Sequence, residues 1–142
     1  MITNAPYDEA TEALVYIAGP LSGDGEALLD NVREALMASA DIQSLSSPEF
    51  SIFTLVPHLC VFEHILHPRP RKTWIRQSLV ILSKCDLVFR MSGVSAGADT
   101  EVEFAHECGI PVCYRMTEII PLLRKRFETP LSKEDTNGEE QI

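Results

Sequence analysis

The residues best placed to do chemistry fall at positions 90–105, Arg-Met-Ser-Gly-Val-Ser-Ala-Gly-Ala-Asp-Thr-Glu-Val-Glu-Phe-Ala. Small residues dominate the first half: Ser92, Gly93, Ser95, Ala96, Gly97 and Ala98. Such a loop leaves amide N–H groups free and lets a ligand come close to the backbone. The helical pattern that follows, ending at Gly109, adds the positive end of a helix dipole. Strand, small-residue loop and helix N-terminus in that order predict an anion site over 92–97. Glu101 stands one to two turns into the helix. It shares a face with Ala105 and Cys108, whereas Asp99 and Glu103 point elsewhere. One carboxylate is therefore expected beside an anion cradle, among neighbours small enough to leave room for a substrate.

Alternating strands and helices must position that stretch. Leu-Val-Tyr-Ile-Ala at 14–18 is apolar enough for the interior of a parallel sheet. A glycine-rich turn over 19–25 follows, and then a helix expected to bury Leu28, Val32, Leu36 and Met37. A polar loop over 41–48 leads to a second strand at 50–56, which ends at Pro57-His58. The segment 58–72 holds His58, His64 and His67 with prolines and basic residues, and reads as irregular with one helical turn. Next come a helix over 73–84 with Ile75, Leu79 and Leu82 on one side, a strand at 87–89, and the helix to Cys108. A strand at 111–114 and a helix around 118–126 complete the pattern. This alternation predicts an α/β domain, a parallel sheet with helices on both faces. Ligands of such sheets bind beyond the carboxyl ends of the strands. That rule gathers the turn bearing Gly19, Pro20 and Ser22, His58, and the 92–101 stretch. Residues 1–12 are expected to be a flexible leader, 13–127 the domain, and 128–142 a disordered tail.

A length of 142 residues suits one core. Hydrophobic content of 45% points to a soluble globular protein. The net charge of −9 opposes a nucleic-acid polymer as partner, which would need a basic face. Part of that charge is local, since 128–142 holds five acids and one lysine. No apolar run approaches the roughly 18 residues of a membrane span, and the N-terminal stretch is acidic rather than basic, against a secretory signal. Cys60, Cys85, Cys108 and Cys113 show no Cys-x-x-Cys spacing. They are expected as buried free thiols in a reducing cytoplasm. The histidines lack a Cys or carboxylate spacing that would complete a zinc site. Around Trp74, the cations Arg69, Arg71, Lys72 and Arg76 are either a solvated face or phosphate contacts beside a base-stacking indole.

Several of these segments belong together. Tyr-Ile-Ala-Gly-Pro at 16–20, Pro57-His58, Cys85-Asp86, and Ser95-x-Gly97-Ala98-x-x-Glu101-x-x-x-Ala105 resemble the nucleoside 2-deoxyribosyltransferase superfamily. That superfamily includes the deoxynucleoside 5′-monophosphate N-glycosidases. The similarity runs over about residues 14–114, and the Ser-x-Gly-Ala-x-x-Glu segment is its specific part. The resemblance implies a single-domain flavodoxin-like or Rossmann-like sheet, homo-oligomers of two or more chains, and cleavage or exchange of an N-glycosidic bond without metal or cofactor. It implies that Glu101 is the carboxylate nucleophile, that Tyr16 orients it, and that Ser95 contacts a 5′-phosphate.

The residue types suit that chemistry. Breaking the bond from C1′ to a base builds positive charge on the sugar, which a carboxylate stabilises and traps covalently. The expected substrate contacts are Gly19, Pro20, Ser22, His58, Ser92, Gly93, Ser95, Gly97 and Ala98, and the ligand is a nucleoside or a nucleoside 5′-monophosphate. Two positions depart from the pattern. Ser78 stands where the resemblance implies a catalytic aspartate, and Pro20-Leu21-Ser22 stands where some monophosphate hydrolases have an arginine. His58 and Asp99 remain as alternative proton donors. An enzyme and a nucleotide-binding module without turnover both fit the sequence.

Overall fold

The structure, a computed structural model, describes residues 9–21 and 23–128. Strand β1 (Thr11–Ala18) is its centre. Successive side chains of a strand point to opposite faces. Ala13, Val15 and Ile17 accordingly enter one apolar cluster, while Tyr16 and Ala18 enter a second. β1 pairs in parallel with β2 (Phe50–Leu55) on one side and with β3 (Leu87–Arg90) on the other. β4 (Val112–Cys113) adds in parallel beside β3, giving the order β2-β1-β3-β4. The chain steps outward from β1 to β2, then crosses back to β3. A topological switch therefore lies between β1 and β3, where Ala18 and Arg90 are register partners, and a crevice opens beyond such a point.

The helices are α1 (Gly25–Gln43), α2 (Cys60–Leu66), α3 (Arg71–Leu82), α4 (Ala96–Glu107) and α5, which is helical over 119–128. From α1 come Ala35, Ala38 and Ile42, and from α5 Ile119 and Leu123, to cover the face of Val15 and Ile17. Leu82 from α3 and Ala98 and Ala105 from α4 cover the opposite face, with Tyr16. This is the single α/β domain with helices on both faces that the alternation predicts. Asp86 fixes the start of β3. Its carboxylate accepts the Leu14 N–H at 2.8 Å, and its own N–H donates to the Leu14 carbonyl at 2.9 Å. Among the described residues no helix is long and apolar enough to cross a membrane.

Several local expectations differ from the structure. β1 begins at Thr11, so Thr11 and Glu12 pair with Phe50 and Ser51 rather than belonging to a leader. α1 runs on to Gln43, into the expected polar loop, and its buried face is Val32, Ala35, Ala38, Ser39 and Ile42. Leu36 and Met37 are 42% and 57% exposed. The helix turns small residues to the sheet and comes close to it, so size and apolarity misidentify the face. The segment after β2 is a 3₁₀ turn (Pro57–Leu59) running into α2, and α3 already starts at Arg71. Pro57 sits at the first position of that turn, where its missing N–H costs nothing. Cys108 is exposed and Cys60 half-buried, while Cys85 and Cys113 are buried as expected; all four are free. The leader at 1–8 and the tail from 129 lie outside the described residues.

Ile42 is fully enclosed in the cluster beneath α1. Ile42→Ala is expected to lower unfolding stability by about 2–5 kcal/mol, the range for large-to-small core changes. Met37→Ala should stay within about 0.5 kcal/mol, as an exposed position. Urea denaturation of the two variants checks which face of α1 is buried.

Candidate active site

Position 16 falls on the face of β1 that α3 and α4 cover, and Glu101 falls on the face of α4 turned toward it. The fully buried Tyr16 hydroxyl donates to Oε2 of Glu101. From α3, the Ser78 hydroxyl faces the same phenolic oxygen and favours its ionised form. In front of this group lies a cleft of about 860 Å³ at the carboxyl edge of the sheet. Gly19, His58, Ser95, Gly97, Ala98 and Glu101 all line it, as the carboxyl-edge rule requires. A cavity of this size is in the range of small-molecule sites.

Burial raises the Glu101 carboxyl from its ordinary 4.5 to about 7, with the Tyr16 hydrogen bond and the charge of Arg90 pulling it back down. The Tyr16 phenol is pushed far above its usual value, chiefly by burial and then by the charge and hydrogen bond of Glu101. Tyr16 thus keeps its proton and stays the donor. The result is a carboxylate that ionises near neutrality, anchored through one oxygen. Its Oε1 has no hydrogen-bond partner among the described residues.

The loop beyond β3 is held by Arg90, the last residue of that strand. Its buried guanidinium donates to the Met91 carbonyl, to the Gly93 carbonyl at 3.1 Å and to Oδ1 of Asp99 at 3.0 Å. Sequence reasoning did not single out Arg90 alone; a cation ending the apolar run 87–89 was the signal. Ser95 is the N-cap of α4, its Oγ accepting the Ala98 N–H at 3.1 Å. The amides of Ala96 and Gly97 at the head of the helix have no intrahelical acceptor, so the cradle expected over 92–97 is open at its last two N–H groups. Gly93 has φ +109°, and a side chain there would meet Pro20 Cγ at 3.0 Å. The turn after β1 and the loop after β3 therefore abut. Pro20, Ser92 and Gly93 are not on the cleft wall, and Ser22 lies outside the described residues.

His58 is only 1% exposed and lies at the cleft. Burial lowers its pKa. The Gly19 and Pro20 backbone lies near enough to oppose that effect, but not at hydrogen-bonding geometry, so both ring nitrogens lack a partner among the described residues. Asp99, by contrast, is exposed, tied to Arg90 and absent from the cleft wall. Cys60 also faces the cleft, its thiol pKa raised by burial and by the charges of Glu63 and Glu101. Trp74 is buried, donating through Nε1 to Nδ1 of His64 at 2.8 Å, with Arg69 5.3 Å from its ring centre. Trp74 also lines the cleft. Among the described residues no group of three or more His, Cys, Asp or Glu side chains could hold a metal ion.

A family model described as a domain of unknown function, DUF7768, matches residues 13–115. A solved structure of a conserved protein from Enterococcus faecalis V583 is 21% identical, with a TM-score of 0.54. The match covers 72% of this chain and 61% of that one, so this chain spans about six-tenths of that protein's length. This likeness is one of fold. A 2-deoxyribosyltransferase from the psychrotolerant bacterium Bacillus psychrosaccharolyticus is 18% identical with a TM-score of 0.47, over 70% of this chain and 69% of that one. No curated protein matches significantly.

The raised pKa of Glu101 makes a stability prediction. An acid that binds its proton more tightly when folded stabilises the fold fully below its unfolded value, and that contribution is lost as pH rises through the folded value. The window here is 4.5 to about 7. Thermal melts of wild type and Glu101→Gln should converge below it and separate above it, with the Gln variant the more stable at pH 8. Tyr16→Phe removes the hydrogen bond that favours the carboxylate, and should move the Glu101 titration, followed by carboxyl NMR, above 7.

Proposed function

We propose that this chain, which belongs to the DUF7768 family, cleaves or transfers at the N-glycosidic bond of a nucleoside or nucleoside 5′-monophosphate, with Glu101 as nucleophile. The observation that carries the reading is the Glu101 carboxylate, held through Oε2 by a buried Tyr16 and presented to a cleft at the switch point of the sheet. Oε1 attacks C1′ as the bond to the base breaks, and the bonding electrons leave with the base. The departing nitrogen needs a proton. His58, at the cleft with unpartnered ring nitrogens and kept neutral by burial, relays one from solvent water, whereas Asp99 is tied to Arg90 off the cleft wall. Water or a second base then takes the sugar from Glu101. Each step uses a group of this chain and none requires a cofactor.

A second reading keeps the cleft and removes the turnover. Ser78 lines the cleft where an ionisable acid would serve the base, which favours a module that binds a nucleotide without cleaving it. Incubation with a panel of nucleosides and nucleotides, followed by chromatography for free base, separates the two.

The enzyme reading predicts that Glu101→Gln lowers base release by at least about 10³-fold while ligand affinity persists, because the lost interaction is made mainly in the transition state. Tyr16→Phe should cost about 10–100-fold, the equivalent of one hydrogen bond to a charged group. Glu103→Gln, on an exposed position of α4, should change little. The wild-type kcat/KM should rise with pH through a free-enzyme pKa of about 7 as Glu101 ionises. Base release by Glu101→Gln at the wild-type rate would overturn the mechanism.

The same reading includes a homo-oligomer. α2 buries none of its residues, and Ile65 and Leu66 are 71% and 86% exposed beside the cleft. A second copy seated there would cover them, and twofold dimers are the commonest soluble assembly. Sedimentation is expected to give a multiple of the 15.8 kDa chain mass, and a monomer at micromolar concentration would refute the assembly.

A further inference from the structure

The cleft has a cationic wall, and its position follows from the topology. α3 runs from the carboxyl edge of β2 to the start of β3, and α4 from the carboxyl edge of β3 to the start of β4. Both helices therefore begin at the mouth of the cleft and descend side by side. Ser78 of α3 faces the Tyr16 oxygen that holds Glu101 of α4, so these residues mark a common inner level. Arg71 lies seven residues before Ser78, about 10 Å up the helix, and Ser95 six residues before Glu101, about 9 Å up. By helix rise, Arg71 and the head of α4 thus stand at similar heights above that level, and both line the cleft.

The head of α4 lacks a free cation of its own. Arg90 is spent on the loop carbonyls and on Asp99, and Asp99 puts a negative charge in the first turn. Arg69 and Arg71, also on the cleft wall, meet no carboxylate among the described residues. Two unpaired guanidinium groups converging on a cleft, in a chain of net charge −9, form a local field for an anion. Arg69 is also held in place. Nδ1 of His64 accepts the Arg69 N–H at 3.2 Å and the Trp74 indole N–H at 2.8 Å, and the Arg69 guanidinium lies over the Trp74 ring. His64 and Trp74 therefore pin the turn between α2 and α3 that carries Arg69 and leads into Arg71.

We infer that Arg69 and Arg71 are the specificity-determining cations of this cleft, gripping the phosphate of a nucleoside 5′-monophosphate against the Ser95 hydroxyl and the Ala96 and Gly97 amides. The orientation rests on the N-glycosidic reading, which places C1′ at Glu101 and leaves the phosphate-bearing carbon directed at the mouth. Phosphate suits the donor set, since guanidinium forks and helix-head amides both match its oxygens. His64 acts as a positioning residue for Arg69.

The test is calorimetric binding of a purine and a pyrimidine nucleoside 5′-monophosphate, and of the matching nucleosides, to full-length Glu101→Gln protein. The ratio of monophosphate to nucleoside affinity is expected to fall about tenfold or more in Arg71→Gln, and further in the Arg69→Gln/Arg71→Gln double variant. Arg76→Gln, the same charge change on α3 away from the cleft, should keep the ratio. Circular dichroism confirms that each variant is folded. An unchanged ratio in the double variant, an equal fall in Arg76→Gln, or no binding of any monophosphate overturns the inference. Base release by the wild type is measured separately. An arginine-dependent ratio without released base defeats the glycosidase reading and leaves the phosphate grip standing, whereas released base with an unchanged ratio does the reverse.

Discussion

The bond from the Tyr16 hydroxyl to Glu101 joins the middle of the sheet to the helix after β3, and it exists only because both groups are buried together. Tyr16 reaches it because β1 alternates between two covered faces. Glu101 reaches it because Ser95 caps α4 and sets the phase of the helix. Shifting the register of β1 by one residue would turn the phenol to the α1 side and leave the carboxylate alone among apolar neighbours. Parallel pairing of Tyr16 with both Leu55 and Val88 opposes that slip on two sides.

The pair also sets the electrostatics of the cleft. Removing a carboxylate from water favours its neutral form, and here burial outweighs both the hydrogen bond from Tyr16 and the charge of Arg90. The fold bears a cost at neutral pH that an amide at the same position would not impose. Groups perturbed in this way collect at functional sites because a useful reactivity and a comfortable environment rarely coincide. Arg90 moderates the cost without entering the cleft, its guanidinium closed onto the loop that ends at Ser95.

Much of this arrangement was legible from residue order. The helix period placed Glu101 apart from Asp99 and Glu103, and the small residues before it marked the helix head. The carboxyl-edge rule brought Gly19 and His58 to the same cleft. Helix faces were less legible where small side chains do the packing: Ala35, Ala38 and Ser39 lie against the sheet while Leu36 and Met37 face out. α2 was hidden because Pro57 reads equally as a strand end or a helical first position. Trp74 was visible as an aromatic among cations, but its hydrogen bond to His64 depends on a turn that no local pattern encodes. The exposure of Cys108 follows from its place just past the end of α4, beside Gly109 at φ +73°, where the helix no longer shields its own face.

Ser78 gives the cleft its remaining character. A carboxylate at that position would stand against the Tyr16 oxygen and near Glu101, and two like charges in one buried space drive each other toward protonation. Glu101 would then ionise above its present value of about 7. The serine hydroxyl instead favours the ionised phenol slightly and adds no charge. Glu101 is left as the one carboxylate on a cleft wall whose other ionisable groups include two arginines and two histidines. Histidines aside, its charged side chains are thus two cations and one acid. The other buried polar side chain on this wall is His58, whose two ring nitrogens lack a partner among the described residues.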